Sequence, residues 1–262
     1  MWRAAEIVDV AAGALRGHAG ALEAEQAVHG LDALAEVALH PLLAAAFAAA
    51  GRGVFVEWPY PGEAGKKRQA GRLPHRAERE RCDLVLTPGP GVLVDPVAEL
   101  KEAEAAEGTL WGNVGCGMSD VGCEEGRSGG PPIRHPISPI RHPTSHIRHR
   151  PEDAFWMEVK VVGQFCYTAG VPGPNRTYAS ELLRLPAGDI AKLAREPRVV
   201  HGGVLLVLFT ADRRTADHDL NVFAHRCLDR ALEVRSPAVE RFGIADRIGN
   251  GVCTVALVPV RR

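Results

Sequence analysis

The chain has 262 residues, of which 46% are hydrophobic and 24% charged, as is usual for a globular protein. A formal net charge of −1 excludes attraction of nucleic acid by the chain as a whole, so such binding would need local basic patches. No segment reaches the roughly 18 apolar residues of a membrane span, and Glu6 and Asp9 interrupt the apolar N-terminal stretch where a signal peptide needs an unbroken core. We therefore expect one domain over residues 1–262, in the cytoplasm and without membrane contact.

The six cysteines form no Cys-x-x-Cys pair, and three of them lie in apolar runs that are typical of core residues: Cys82, Cys227 and Cys253. This usage indicates a reducing compartment, and we expect no disulfide framework. The fold must then be stabilised by a hydrophobic core, which a chain of this length can build.

The first 50 residues are rich in alanine and leucine and predict helices, the last of which ends at Gly51. Pro41 predicts that the helix breaks or kinks after Leu39 or His40, or else that Pro41 lies in the first turn of a second helix. Two strands follow, at about 54–58 and 82–87, because β-branched and apolar residues are concentrated there and Pro/Gly turns end both runs.

A segment of about 95–150 separates the second strand from the third. Its acidic, alanine-rich start favours a short helix, and its end, "IRHPISPIRHPTSHIRHR", repeats Ile-Arg-His every seven residues. Proline-containing repeats with little apolar mass are typical of disordered, low-complexity sequence, which a loop between strands tolerates at little entropic cost. The spacing of its cysteines and histidines does not match the usual zinc-finger patterns: Cys116, Cys123, His135, His142, His146 and His149.

The third strand is "FWMEVKVV", residues 155–162, and two short predicted helices follow it. Pro186 and Gly188 separate these helices, and Asp189 is the expected N-cap of the second. A continuous apolar strand at about 203–211, an amphipathic helix and a final strand complete the chain. The predicted order is helix, strand, strand, strand, helix, strand, helix, strand, which is an α/β fold.

The third strand carries two charges inside an apolar run, although a buried charge without a partner is costly. Alternation places Glu158 and Lys160 on one face, on stems about 7 Å apart between Trp156 and Val162, while the opposite face is wholly apolar. If the second and third strands pair antiparallel, Asp83 lies beside Glu158. Two carboxylates and a lysine then meet in one notch of a mixed sheet.

On the second strand, alternation gives Cys82, Leu84 and Leu86 one apolar face and places Asp83 on the other face with Val85. Two neighbouring carboxylates repel each other and raise one pKa, and a divalent metal such as Mg²⁺ (or Mn²⁺) removes that conflict. A lysine beside a metal-bound water can orient the water, help to deprotonate it, or neutralise charge in the transition state.

An Asp on one strand and Glu-x-Lys on the next, after an opening helix, resembles the signature of the PD-(D/E)XK nuclease superfamily. The matching residues are Asp83 in "RCDLVL" and Glu158 with Lys160 in "MEVK", and the resemblance covers roughly residues 30–260 without the insertion. It implies an αβββαβ restriction-endonuclease-like core with a mixed central sheet flanked by helices. Cys82 stands where the family motif has its proline.

The resemblance also implies an activity, the metal-dependent hydrolysis of phosphodiester bonds, with DNA favoured over RNA as the substrate. Asp83 and Glu158 would bind Mg²⁺ or Mn²⁺, and Lys160 would assist the attacking water. Further implied site residues are the carbonyl of Val159 and either Glu36 or Glu57 as metal ligands, and Gln164 as a catalytic residue after the lysine.

Basic residues are a second indication that nucleic acid is the partner. The segment 65–81 leads into the second strand and is strongly cationic, so it could bind a phosphate backbone without reading its sequence. A solvated loop is the alternative, and for any single residue of the segment it is the favoured one. After the third strand, Arg176 could contact phosphate and Tyr178 could stack on a base, although a structural role for Tyr178 is an equal alternative. The candidate contacts in the cationic segment are Lys66, Lys67, Arg68 and Arg72.

Two other interpretations stay open. The chain could be a catalytically silent member of the same fold that binds nucleic acid or assembles into a complex. It could also be an unrelated α/β protein in which Glu158 and Lys160 form a structural ion pair, although the apolar Trp156 and Val162 argue against an exposed pair. The sequence does not decide the oligomeric state and is compatible with a homodimer.

Overall fold

A mixed six-stranded sheet forms the centre of the molecule, and helices cover both of its faces. The structure is a computed structural model that describes residues 2–62, 79–112 and 147–261. The helices are α1 (Ala4–Ala24), α2 (Glu36–Ala49), α3 (Pro96–Gly112), α4 (Tyr178–Arg195) and α5 (Arg213–Asp229). The strands are β1 (Gly53–Pro59), β2 (Arg81–Thr87), β3 (Val92–Leu93), β4 (Arg148–His149), β5 (Phe155–Gly163), β6 (Phe165–Thr168), β7 (Val171–Pro174), β8 (His201–Thr210), β9 (Ala238–Gly243) and β10 (Val252–Pro259).

The sheet has the strand order β1-β2-β5-β8-β10-β9. β5 and β8 run parallel, and the other neighbours run antiparallel. Parallel neighbours need a crossover connection, and α4 supplies it. The predicted α/β class, with a mixed sheet between helices, is confirmed.

Different helices cover the two faces of the sheet. α1 and α2 pack on one face, and α4 and α5 pack on the other. β5 shows the predicted alternation, since Met157 and Val159 lie in the core on the α1–α2 side and Trp156 lies in the core on the α4 side. β8 is buried on both faces, which explains its continuous apolar sequence. Among the described helices, none combines the length and the apolar character that a membrane crossing needs.

The predicted helix breaks at Pro41 and Pro186 are wrong, while the alternative of a kink at Pro41 stays a prediction. α2 begins at Glu36 and runs through Pro41, and α4 continues through Pro186 without ending. A proline inside a helix costs about 3 kcal/mol. α4 nevertheless buries Leu182 and Ile190 on the same side as Pro186, at about 1.5–3 kcal/mol for each large apolar side chain, and this burial outweighs the cost.

Some predicted features lie outside the described residues. These include residues 113–146 of the expected disordered insertion and all but the last of its six cysteines and histidines. The acidic start of the insertion forms α3, and β4 near its end pairs with β3. The basic candidates Lys66, Lys67, Arg68 and Arg72 also lie outside the described residues.

Candidate metal and catalytic site

The pairing of β2 with β5 ends beside the charged residues Asp83 and Glu158. Residues 84–86 pair with residues 155–157, but the ladder does not continue to Asp83. Instead, Oδ2 of Asp83 accepts a hydrogen bond from the backbone amide of Val159 at 2.8 Å. The carboxylate therefore lies in a gap between two neighbouring strands, at the point where their ladder ends.

The prediction that Cys82 shares a face with Leu84 is wrong. Cys82 packs with Val85 on the α4 side of the sheet, whereas Leu84 packs on the opposite side. The strand changes orientation at Asp83, because its carboxylate bonds to the neighbouring strand. On β1, Glu57 has a left-handed φ of 51° near this point, so the regular alternation is interrupted on that strand as well.

Lys160 lies at this gap with three carboxylates around its ammonium group. Its Nζ donates hydrogen bonds to Oε1 of Glu36 at 2.9 Å and to the carbonyl of Val159 at 2.8 Å. Oδ2 of Asp189 lies 3.6 Å from Nζ, and Oδ2 of Asp83 lies 3.8 Å from it. Burial lowers the pKa of the Lys160 amine, but the hydrogen bond to Glu36 and the charges of the three carboxylates outweigh burial and raise this pKa.

Glu158 is almost completely buried, with 2% of the residue exposed. Its Oε1 accepts hydrogen bonds from the hydroxyl of Tyr60 at 2.5 Å and from Nζ of Lys192 at 2.7 Å. Lys192 also donates to the carbonyl of Arg81 at 3.1 Å and lies 4.8 Å from the centre of the Tyr60 ring. Burial and the charge of Asp83 raise the pKa of Glu158, although Lys192 and Tyr60 oppose this shift.

α4 supplies two site residues from one face, because Asp189 and Lys192 are three positions apart. Burial and the charge of Glu158 raise the pKa of Asp189 to about 6, against the opposing effect of Lys160 and Lys192. Asp189 is thus a site residue inside the helix and not the predicted N-cap. If this stretch of sequence is interpreted as one helix, Asp189 and Lys192 become recognisable as polar positions beside the buried Ile190.

A group of three side chains has the geometry to hold a metal ion. Glu36 and His40 lie one turn apart on α2, and one ligand atom from each lies within 4.8 Å of the other and of a carboxylate oxygen of Asp83. The His40 side chain is 4% exposed, and its Nε2 is buried without a hydrogen-bond partner among the residues that the structure describes. A buried polar atom in this position calls for a partner. Two carboxylates and an imidazole fit Mn²⁺ well and Mg²⁺ acceptably.

The structure brings together several of the predicted site residues. Asp83, Lys160, Glu36 and the carbonyl of Val159 surround the gap between β2 and β5. Glu57 lies at the margin, with a half-exposed side chain whose Oε1 is 3.8 Å from Nδ1 of His40.

Glu158, the other predicted metal ligand, lies beside these residues. Its carboxylate does not belong to the close group of ligand atoms formed by Glu36, His40 and Asp83 in the described part of the chain. Its Oε1 is held instead by Tyr60 and Lys192. Whether it binds metal stays a prediction.

The remaining predicted residues have other contacts. Gln164 accepts a hydrogen bond from the amide of Ala211 at 3.0 Å, which links the end of β5 to the turn after β8. Arg176 is exposed. The hydroxyl of Tyr178 donates to Oδ2 of Asp219 at 2.5 Å, which supports the structural alternative for this tyrosine.

If Glu36, His40 and Asp83 hold a cation, Mn²⁺ should stabilise the fold. A ligand at one hundred times its Kd adds about 2.7 kcal/mol to the free energy of unfolding, which for a domain of this size corresponds to roughly 5–10 °C in Tm. The substitution His40→Gln should remove most of this shift, as thermal unfolding followed by circular dichroism can measure. His225→Gln, at an exposed position of α5, is the matched control. Equal shifts in both variants would contradict a metal site at His40.

Comparisons with protein-family models, with curated proteins and with solved structures find no match for this chain. The interpretation of the site accordingly depends on its own geometry and on the sequence pattern that predicts it.

Proposed function

We propose that the chain is a metal-dependent nuclease that hydrolyses phosphodiester bonds, with DNA as the favoured substrate. The observation that carries this proposal is the position of the Lys160 ammonium, 2.9 Å from Glu36 and 3.8 Å from Asp83. Within residues 2–62, 79–112 and 147–261, these two carboxylates and His40 form a group whose ligand atoms lie close enough to share one cation. A cation site can activate water and polarise a phosphate oxygen, and an amine in contact with it can stabilise the charge that develops on the phosphate, so the two together suit the hydrolysis of a phosphodiester.

The connection of the elements supports the proposed family. An opening helix, three antiparallel strands, a crossover helix and a parallel strand follow in the order α2, β1, β2, β5, α4, β8. This is the αβββαβ order that the resemblance to the PD-(D/E)XK superfamily implies. The Asp and the Glu-x-Lys pair occupy adjacent strands of this arrangement, as that family would have them.

The charges of the site support a divalent cation as its ligand. Two ammonium groups face four carboxylates, so that the ionised group carries an excess of two negative charges. Such an excess in a half-buried place is unfavourable without a counter-ion. The carboxylates belong to Glu36, Asp83, Glu158 and Asp189, and the ammonium groups belong to Lys160 and Lys192.

The residues would then have distinct roles. Glu36, His40 and Asp83 would hold Mg²⁺ or Mn²⁺, which when bound supplies a Lewis acid for a phosphate oxygen and for water. Lys160 would orient the attacking water and stabilise the charge that develops on the phosphate. Tyr60 and Lys192 both bind Oε1 of Glu158, so Oε2 is the atom through which Glu158 would reach a cation.

Incubation of the purified chain with single- and double-stranded DNA and RNA tests the proposal. Cleavage is expected with Mg²⁺ or Mn²⁺ and not with EDTA, and Asp83→Asn is expected to lower the rate by about 10²-fold or more. Asp229→Asn, at an exposed position of α5, should cleave like the wild type. Binding without cleavage under every condition would instead support a catalytically silent nucleic-acid-binding module. Neither binding nor cleavage would contradict both proposals.

A further inference from the structure

Asp189 differs from the other carboxylates around Lys160 in one respect. Its Oδ2 is buried and has no hydrogen-bond partner among the described residues, although it lies 3.6 Å from Nζ of Lys160. A hydrogen bond to an ammonium group is normally about 2.7–2.9 Å long. Asp189 is therefore an acceptor placed just beyond the reach of its nearest donor, and a movement of the amine by about 1 Å would join the two.

The other two carboxylates around Lys160 can also bind a cation. Glu36 and Asp83 belong to the group that can share a cation, and both face the ammonium of Lys160. A carboxylate that binds a divalent cation attracts the ammonium of Lys160 less strongly, and the cation itself repels the ammonium. Asp189 does not belong to that group of ligand atoms, so it alone of the three keeps its full charge for the amine.

We propose that Asp189 is the positioning residue for Lys160, and that Asp189 accepts a hydrogen bond from the Lys160 ammonium when Glu36 and Asp83 bind a cation. This inference rests on the proposed metal-dependent function and adds a residue that its sequence motif does not contain. Lys160 then stays beside the reacting phosphate, because Asp189 prevents it from returning to Glu36 and Asp83.

α4 is built to hold Asp189 in place. Its neighbour Ile190 is fully buried against the sheet, and Lys192, one turn further on, is bound to Glu158 at 2.7 Å. The helix therefore fixes the backbone of Asp189, and only the flexible stem of Lys160 has to move. This difference in mobility is what a positioning role requires.

A double-mutant cycle on Mn²⁺ affinity, measured by isothermal titration calorimetry, separates this role from a simple effect of charge. In the wild-type background, Asp189→Asn is expected to weaken Mn²⁺ binding about tenfold, since Lys160 then competes more strongly for Glu36 and Asp83. In the Lys160→Met background the same substitution is expected to change the affinity less than about twofold, because the competitor is gone. An equal loss in both backgrounds would overturn the inference, since Asp189 would then act on the cation through its charge alone.

Cleavage kinetics provide a second readout. Asp189→Asn should lower kcat with little change in KM, because it misplaces the amine without touching the bound nucleic acid, and Asp189→Glu should restore part of kcat. Asp229→Asn is the control for loss of one carboxylate, and thermal unfolding shows that each variant is folded. A wild-type chain that neither binds Mn²⁺ nor cleaves nucleic acid would overturn the proposed function itself. Mn²⁺ binding and cleavage without coupling between positions 160 and 189 would overturn only the role of Asp189.

Discussion

Replacement of Lys160 by methionine should lower kcat for phosphodiester cleavage by about 10²–10³-fold, the loss that removal of one charge-stabilising donor from a transition state typically causes. The same change should leave Mn²⁺ binding at least as tight as in the wild type. The ammonium of Lys160 lies 2.9 Å from Glu36 and 3.8 Å from Asp83, where it competes with a cation for both carboxylates. Methionine keeps most of the apolar stem and removes the charge. Single-turnover cleavage assays and calorimetry would measure the two effects separately.

Lys101→Met, on α3, is the matched control and should leave both quantities unchanged. A Lys160→Met variant that cleaves at the wild-type rate would contradict the catalytic assignment. A variant that loses Mn²⁺ binding together with cleavage would contradict the expected competition, since Lys160 would then be needed to hold the carboxylates in place. Loss of cleavage with retained binding of Mn²⁺ is the expected combination.

The strands that carry this site could be predicted from local sequence. β1, β2, β5 and β8 are short apolar runs that are rich in β-branched residues or bounded by turns, and both signals are contained within the runs themselves. The two charges inside β5 were informative for the same reason, because Glu158 and Lys160 contradict the apolar pattern around them. A residue that violates a local pattern indicates either a functional site or a partner elsewhere in the chain.

The errors concern features that depend on distant contacts. Pro41 and Pro186 are strong local signals for a helix break, yet both helices continue, because burial of their apolar faces against the sheet is worth more than the lost hydrogen bond. The orientation of Cys82 depends on the hydrogen bond between Asp83 and the next strand, which no periodicity within β2 can show.

The site residues that sequence reasoning missed are of two kinds. His40 follows Glu36 by four positions, a spacing that places two metal ligands on one helix face, so this signal was present in the sequence. Tyr60 and Lys192 come from separate elements and meet Glu158 only through the tertiary fold. A buried glutamate does require partners, but the sequence does not say which residues supply them.

Replacement of Lys192 by methionine is expected to lower the free energy of unfolding by about 3 kcal/mol at neutral pH in the presence of EDTA. Loss of one partner of a buried ion pair typically costs 3–5 kcal/mol, because the other charge stays buried. Glu158 has 3% of its side chain exposed and Lys192 has 23%, and Tyr60 continues to donate to Glu158, so the lower end of that range applies. Urea unfolding followed by fluorescence would measure the difference. The double variant with Glu158→Gln should recover most of the loss, since the buried charge is then absent.

The dependence of this loss on pH distinguishes charge from packing. Burial raises the pKa of Glu158 in the folded protein above its ordinary value of 4.5, and removal of Lys192 takes away an interaction that opposes the increase. A carboxyl with a raised pKa binds its proton more tightly in the folded state, so acidification through that pKa stabilises the fold relative to the unfolded chain. The deficit of Lys192→Met should therefore be largest at neutral pH and shrink as the pH falls toward 4.5 and below. A deficit that stays constant with pH would show that Lys192 acts through its stem and its contact with the Tyr60 ring, and the ion pair with Glu158 would then contribute little to stability.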